Sequence, residues 1–374
     1  PTATPAPTPT KTPTPAPVAT PTPTPAVDYP GSTPTPTPDP TPSPEPTATP
    51  EPDEEPPPIT PVPGLNAGSL WPSSWSTGAS APKPRFESTG ITVGSKIYAF
   101  GGFYDQKQLV RRDYVVYDVP TNKWTTLGNL PTGMAETHLG VATDGRYIYF
   151  AGGLGGNVQE GKNPPQWISN RVYRYDTQTN GWTQIATLPG SRGAGGLALI
   201  GRNLHYFGGV IADINTDRTD HWAYNLDTKT WTTKASMPEA KDHFSTIVYG
   251  GQIYALLGEF GHHIEQRQLV TAHRYNPVTN TWSKLASGPQ GKSHAEASSF
   301  LSNGKIVIAG GQIENSASTD RVAAYDPVAN KWENLKVLPA KRQGVVVQKV
   351  GTKFVITTGG VGTRSPVSNT WLGS

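Results

Sequence analysis

Six times along this chain of 374 residues a tryptophan is followed, after six intervening residues, by a proline. The pairs are Trp75–Pro82, Trp124–Pro131, Trp182–Pro189, Trp231–Pro238, Trp282–Pro289 and Trp332–Pro339. Seven residues before each of the last five tryptophans stands a tyrosine: Tyr117, Tyr175, Tyr224, Tyr275 and Tyr325. The text between them repeats as "YDVPTNKW", "YDTQTNGW", "YNLDTKTW", "YNPVTNTW" and "YDPVANKW". Further upstream, apolar runs close on glycine: "IYAFGG", "IYFAGG", "LHYFGG", "IYALLG", "IVIAGG" and "FVITTGG". Self-similarity at a period of about fifty residues means one supersecondary unit used repeatedly, each copy burying its apolar faces against its neighbours.

Short alternating apolar segments punctuated by Gly, Asn and Asp read as antiparallel strands. "VGSK", "TDGR", "IGRN", "YGGQ" and "SNGK" supply tight turns between a first strand a and a second strand b. The glycines closing strand b allow close backbone approach or positive φ. Asp or Asn after the tyrosine, with "TN" beyond it, turns strand c into strand d. Tyr on c and Trp on d are large amphipathic groups suited to packing between adjacent sheets. Four strands repeated radially make a β-propeller blade.

A glycine pair followed by spaced Tyr and Trp resembles the kelch repeat. The resemblance, to galactose oxidase/kelch-type β-propellers and in particular to secreted bacterial kelch proteins, covers residues 65–374. Two departures stand out. Leu257-Gly258-Glu259 breaks the glycine pair of the fourth unit, and the last unit lacks its tyrosine. Aligning "SNTWLGS" with "SNRVYRY" puts Ser374 in the tyrosine slot, where the chain stops. The missing strand d is then at the other end, from Trp75 to Pro82. The expected fold is an all-β, six-bladed propeller of four-stranded blades, the last closed by the N-terminal strand. Such closure removes unpaired strand edges that invite aggregation.

Residues 1–64 are of another kind. Through residue 63 they hold 25 of the 39 prolines, 16 threonines, and one Lys against seven Asp and Glu. Such chain cannot bury enough apolar surface to offset the entropy of ordering it, and Pro-rich segments run extended. A disordered linker or stalk is expected here, of a composition that suits O-glycosylation in a secreted protein. The remainder carries 30 Lys and Arg against 21 Asp and Glu. That positive balance is too dispersed for a nucleic-acid footprint, so no nucleic-acid partner is expected. No apolar run reaches membrane-spanning length. The chain contains no cysteine, which excludes disulfides and thiolate chemistry. The stalk, with neither Met nor a leader opening the chain, leads us to expect an extracellular or cell-surface setting with other domains upstream.

Alternation of strand direction puts the b–c and d–a connections on one face of the propeller. They are the long, variable ones, which marks that face for binding. Candidate ligand contacts there are Arg85, Glu136, His138, Trp167, Arg192, Lys241, His243, His294, Glu296 and Arg342. Basic groups interleaved with His and Glu, beside aromatic loop residues, suit a hydroxyl-rich or anionic ligand, a glycan or a protein. A metal reading of His243, His262, His263 and His294 lacks a motif of fixed ligand spacing, and no metal or other cofactor is expected. The kelch resemblance includes copper radical oxidases, whose Tyr–Cys cofactor the absence of cysteine excludes. It also includes sialic-acid mutarotases/epimerases. By that likeness Glu259 and Arg267, with His243 or His294 carrying protons, would be the catalytic set. No Gly-x-Ser-x-Gly elbow is present. An extracellular binding propeller is the first reading, and a sugar mutarotase the alternative.

Overall fold

A computed structural model describes residues 69–156, 167–262, 264–362 and 364–374. The stalk assigned to residues 1–64 and His263 lie outside the described residues. Six four-stranded antiparallel sheets follow one another around an axis. Blade one is Thr89–Val93, Lys96–Phe100, Asp113–Asp118 and Lys123–Asn129. Blade two is Gly140–Thr143, Tyr147–Ala151, Arg171–Asp176 and Gly181–Thr187. Blade three is Gly196–Ile200, Asn203–Phe207, His221–Asn225 and Thr230–Thr233. Blade four is Ser245–Tyr249, Gln252–Leu256, Ala272–Asn276 and Thr281–Lys284. Blade five is Ser299–Ser302, Lys305–Ala309, Val322–Asp326 and Lys331–Leu335. The six a strands touch each other in a closed circle and line the axis.

Blade six takes three strands from the C-terminus, Val346–Val350, Lys353–Thr357 and Thr370–Gly373, and its outer strand from Trp75–Gly78. The register pairs Trp75 with Gly373, as Tyr117 pairs with Trp124 and Tyr275 with Trp282 elsewhere. The vacant tyrosine slot is therefore Gly373, one residue earlier than the alignment of "SNTWLGS" places it. A Cβ on Gly373 would lie 2.7 Å from Pro72 and 2.8 Å from Trp75, so the incoming N-terminal segment fills the space a tyrosine takes in other blades.

The repeated text is a latch between blades. In blade four, Asn280 accepts hydrogen bonds from the Tyr275 hydroxyl (2.7 Å) and from the backbone N–H of Ala235 on the preceding blade (3.0 Å). The Trp282 indole donates to the Ala235 carbonyl (2.9 Å). Blade five does the same with Asn330, Tyr325, Trp332 and Ala286, and blade one with Asn122, Tyr117, Trp124 and Ala79. Ala79 follows the closing strand, so the N-terminal segment is held by blade one as well as by blade six. Where the preceding outer strand is bulged, after blades one and two, the latch changes. Asn180 then donates to the Leu127 carbonyl, and Tyr224 to the Ile185 carbonyl.

Candidate functional site: the axial cluster

Each d–a connection delivers three consecutive residues to the axis. The triplets are Arg85-Phe86-Glu87, Glu136-Thr137-His138, Arg192-Gly193-Ala194, Lys241-Asp242-His243, Lys292-Ser293-His294 and Arg342-Gln343-Gly344. The middle residue of each bridges to the residue opening the b–c loop of its own blade: Phe103, Leu154, Val210, Glu259, Gln312 or Gly360. The third residue adopts left-handed backbone in every blade: φ is 50° at Glu87, 56° at His138, 54° at Ala194, 45° at His243, 53° at His294 and 51° at Gly344. Backbone hydrogen bonds stitch these residues across blades, from Ala194 to His138 (2.9 Å), His243 to Ala194 (3.0 Å), Gly344 to His294 (2.9 Å) and Glu87 to Gly344 (3.0 Å). Their side chains line the channel and its mouth on the b–c face.

The expected basic ring is not at that mouth. In five of the six triplets the first residue is a long cation that turns onto its own blade. Arg85, fully buried, donates to the carbonyls of Ala99, Gly101 and Asp113 and pairs with the Asp113 carboxylate at 2.8 Å. Lys241 Nζ sits on the Leu257 and Thr271 carbonyls (3.3 and 3.4 Å), and Lys292 Nζ on those of Ile308 and Arg321 (3.1 and 3.2 Å). Arg192 pairs with Asp220 and covers the Trp222 ring, and Arg342 bonds Asn369 (2.9 Å) and covers Trp371. A long cation there meets the carbonyls where strand b ends and strand c begins. Burial lowers the Arg85 and Arg342 pKa values to about 10, Lys241 to about 8 and Lys292 to about 7. As ligand contacts, Arg85, Arg192, Lys241 and Arg342 are therefore corrected to structural residues.

What converges instead is histidine and carboxylate. His243 stacks on His294 (ring centroids 4.1 Å apart) and on His262 (4.8 Å), and meets His138 edge-on (4.7 Å). Glu87 lies 3.4 Å from His138 Nε2 and 3.5 Å from His294 Nε2. Behind the imidazoles, His243 Nδ1 bonds the Asp242 carboxylate, and His294 Nδ1 the Ser293 hydroxyl (2.8 Å). Glu259 ties the group together. It accepts from Ser293 Oγ (2.6 Å), His262 Nδ1 (2.6 Å), Gln266 (2.8 Å) and Gln268 (3.1 Å). Burial alone would raise Glu259, but His294, His262 and these donors outweigh it and hold the group at about 2. Burial pushes Glu87 up to about 7, and burial beside other imidazoles drives His138 and His243 well below 6.5, so both rings are neutral.

Among the other expected contacts, Glu136 accepts from the Gly156 N–H (3.2 Å), and burial raises it to about 7. Glu296 opens onto the channel, where solvent reaches it although protein surrounds it, and that enclosure raises it to about 8. Trp167, 40% exposed, pairs opposite Gly155 within the b–c connection of blade two. Glu259 and Arg267 do not come together. Gln268 pairs opposite Glu259, whereas Arg267 pairs opposite Phe260 and lies over its ring, exposed. The catalytic pairing implied by the mutarotase resemblance is corrected accordingly. The ligand set read from the sequence omits Glu87, Gln108, His262 and Arg364, all of which line the mouth. His138, absent from the metal reading of the sequence, belongs to the cluster.

Two family models match. The "KLHDC2/KLHL20/DRC7 Kelch-repeats domain" covers residues 65–209. The "Attractin/LZTR1 beta-propeller" covers residues 155–369, more than half of the chain. The chain belongs to the kelch-repeat β-propeller family. Among curated relatives, this kelch propeller is 26% identical to Kelch repeat-containing protein At3g27220 of Arabidopsis thaliana over 66% of this chain and 60% of that one. It is 25% identical to Kelch-like protein 25 of Xenopus tropicalis over 70% of this chain and 42% of that one. It is 27% identical to Kelch-like protein terF of Aspergillus terreus over 83% and 69%. The chain thus spans less than two thirds of the first two relatives. The solved structure of YjhT superposes with a TM-score of 0.64 at 16% identity, covering 81% of this chain and 96% of that one, a likeness of fold.

Proposed function

We propose that this kelch propeller is an extracellular or cell-surface binding module, and that its long-loop face takes a glycan, free or carried on a protein. The observation that carries this is convergence. Glu87, Gln108, His138, His262, His294 and Arg364 meet in one recess on the axis, walled on one side by Phe103 and Leu154. Donors, acceptors and an apolar wall in one concave site are what a sugar ring with its hydroxyls requires, and Trp167 in the b–c connection of blade two offers a stacking face. The deeply buried amides of Gln312 and Gln343, in the ring just behind, have no hydrogen-bond partner among the described residues. A site whose polar groups are held ready by the fold loses little order on binding. The stalk composition supports the cell-surface setting.

A glycan array with the purified chain tests this. Arg364→Ala and Trp167→Ala should each weaken the captured glycan about tenfold without lowering Tm. An array without a single hit, repeated with glycoproteins, defeats the reading. A second reading, a sugar mutarotase or epimerase, is favoured by one feature: Glu87, raised to about 7, lies between two imidazoles and could exchange protons near neutral pH. NMR of anomer exchange in sialic acid decides it, and an unchanged exchange rate excludes it.

A further inference from the structure

The three axial histidines have a second chemistry that does not depend on any glycan. One ring nitrogen from each of His138, His243 and His294 lies within 4.8 Å of the others. Their backbones are fixed by the left-handed turn and by the inter-blade hydrogen bonds at Ala194, His243 and Gly344. Hydrogen bonding holds the rings from behind as well. The Ser293 hydroxyl gives its hydrogen to Glu259, so its oxygen accepts from His294 Nδ1–H. His243 Nδ1 faces the Asp242 carboxylate and, at 3.5 Å, Glu259. Asp242 and Ser293 thus hold the two rings from behind through Nδ1, leaving each Nε2 turned away from these partners.

His243 is 97% buried, and its Nε2 has no hydrogen-bond partner among the described residues; nor does buried His138 Nδ1. The Glu87 carboxyl group lies 3.5 Å from His294 Nε2 and 3.4 Å from His138 Nε2. Buried ring nitrogens without a partner, at His243 and His138, beside a buried carboxyl group are what a cation placed among them satisfies. A carboxylate or hydroxyl behind the Nδ1–H of a ligating histidine is the arrangement that orients imidazoles on metals and raises their basicity.

We propose that His138, His243 and His294, with Glu87 as fourth donor, form a site for one first-row divalent transition-metal ion on the propeller axis. Three imidazoles and a carboxylate suit Zn²⁺, Fe²⁺, Ni²⁺ or Cu²⁺, whereas Ca²⁺ and Mg²⁺ take oxygen shells. Small ring rotations bring nitrogens this close to the roughly 2.0–2.1 Å bonds of Zn²⁺.

The test is titration of the EDTA-stripped, desalted full chain with ZnCl₂, followed by dialysis and elemental analysis, and in parallel with CoCl₂ read by its visible d–d absorption. One Zn²⁺ per chain is expected. His243→Ala and His294→Ala should abolish retention, and Asp242→Asn should weaken affinity about 10- to 100-fold. His205→Gln/His221→Gln, which removes the other buried imidazole pair (Nδ1···Nε2 3.0 Å), should leave one ion bound. If the alanine variants lose their near-UV circular dichroism, ¹⁵N NMR of the native imidazoles decides, since Zn²⁺ must shift the Nε2 resonances of His243 and His294. A folded native chain that retains no Zn²⁺, unshifted Nε2 resonances, or full retention in His243→Ala/His294→Ala overturns the site.

Discussion

Replacing Asn280 tests whether the repeated text is an energetic latch or only a turn. Its side-chain oxygen accepts from Tyr275 at 2.7 Å and from the Ala235 N–H of the preceding blade at 3.0 Å, and its backbone is left-handed at φ 55°. Asn280→Gly removes both hydrogen bonds and keeps the backbone easy. Because solvent reaches the site, each bond contributes about 1 kcal/mol, so the loss is about 2 kcal/mol. Asn280→Ala adds a Cβ in the left-handed region, at a further cost of about 1 kcal/mol. At a few degrees per kcal/mol for a domain of this size, Tm falls by roughly 4–8 °C for Gly and more for Ala. Urea unfolding followed by tryptophan fluorescence and circular dichroism measures both. Equal stability of Asn280→Gly and the native chain refutes the latch. Equal stability of the Gly and Ala variants refutes the backbone contribution.

Deleting residues 69–82 strips the outer strand from blade six and the Ala79 partner from Asn122 and Trp124. The product should aggregate by light scattering and melt earlier, and a parent-like melt would break the closure scheme. Burial lowers His205 to about 4 and His221 to about 3. The unfolded chain therefore takes more protons between about pH 3 and 6.5, and stability is full above 6.5 and lost below it. Glu87 and Glu136, raised to about 7, act oppositely: their contribution is full below about pH 4.5 and lost as pH rises through 7. Calorimetry should show Tm falling as pH drops below about 6.5, with a shallower acid limb in His205→Gln/His221→Gln; an acid limb as steep in that variant disproves the assignment. Lys292→Met removes the cation from the Ile308 and Arg321 carbonyls. It should destabilise by about 1–3 kcal/mol while leaving binding at the mouth unchanged, and weakened glycan capture by the folded variant would make Lys292 a ligand contact instead.

The ring and its closure were legible because their chemistry is repeated. Trp124, Trp282 and Trp332 each anchor on the preceding blade's alanine, so the same spacing must recur. Loop sorting was legible because strand direction alternates without exception. The destination of the cations was not, since nothing local to "PRFE" or "AKDH" shows that strand-end carbonyls lie within reach of a long side chain. Nor did local text separate Ser374 from Gly373 in the last tyrosine slot, which cross-strand register alone decides.

The histidine cluster is a different case, because a signal for it exists. Strand b ends in a left-handed residue in every blade: Gly101, Gly152, Gly208, Leu257, Gly310 and Thr358. Counting back fourteen residues reaches Glu87, His138, Ala194, His243 and Gly344; in blade five the count is sixteen, to His294, because the short 3₁₀ turn Glu296–Ser298 precedes strand a. Read around the circle, that position is Glu, His, Ala, His, His, Gly. Its backbone is the same in all six blades, and glycine, as at Gly344, meets the left-handed requirement without cost. A β-carbon there costs about 1 kcal/mol. Three imidazoles and a carboxylate nevertheless stand at the position that points to the axis. Packing around the blades does not account for that choice, and the chemistry of the axial site does.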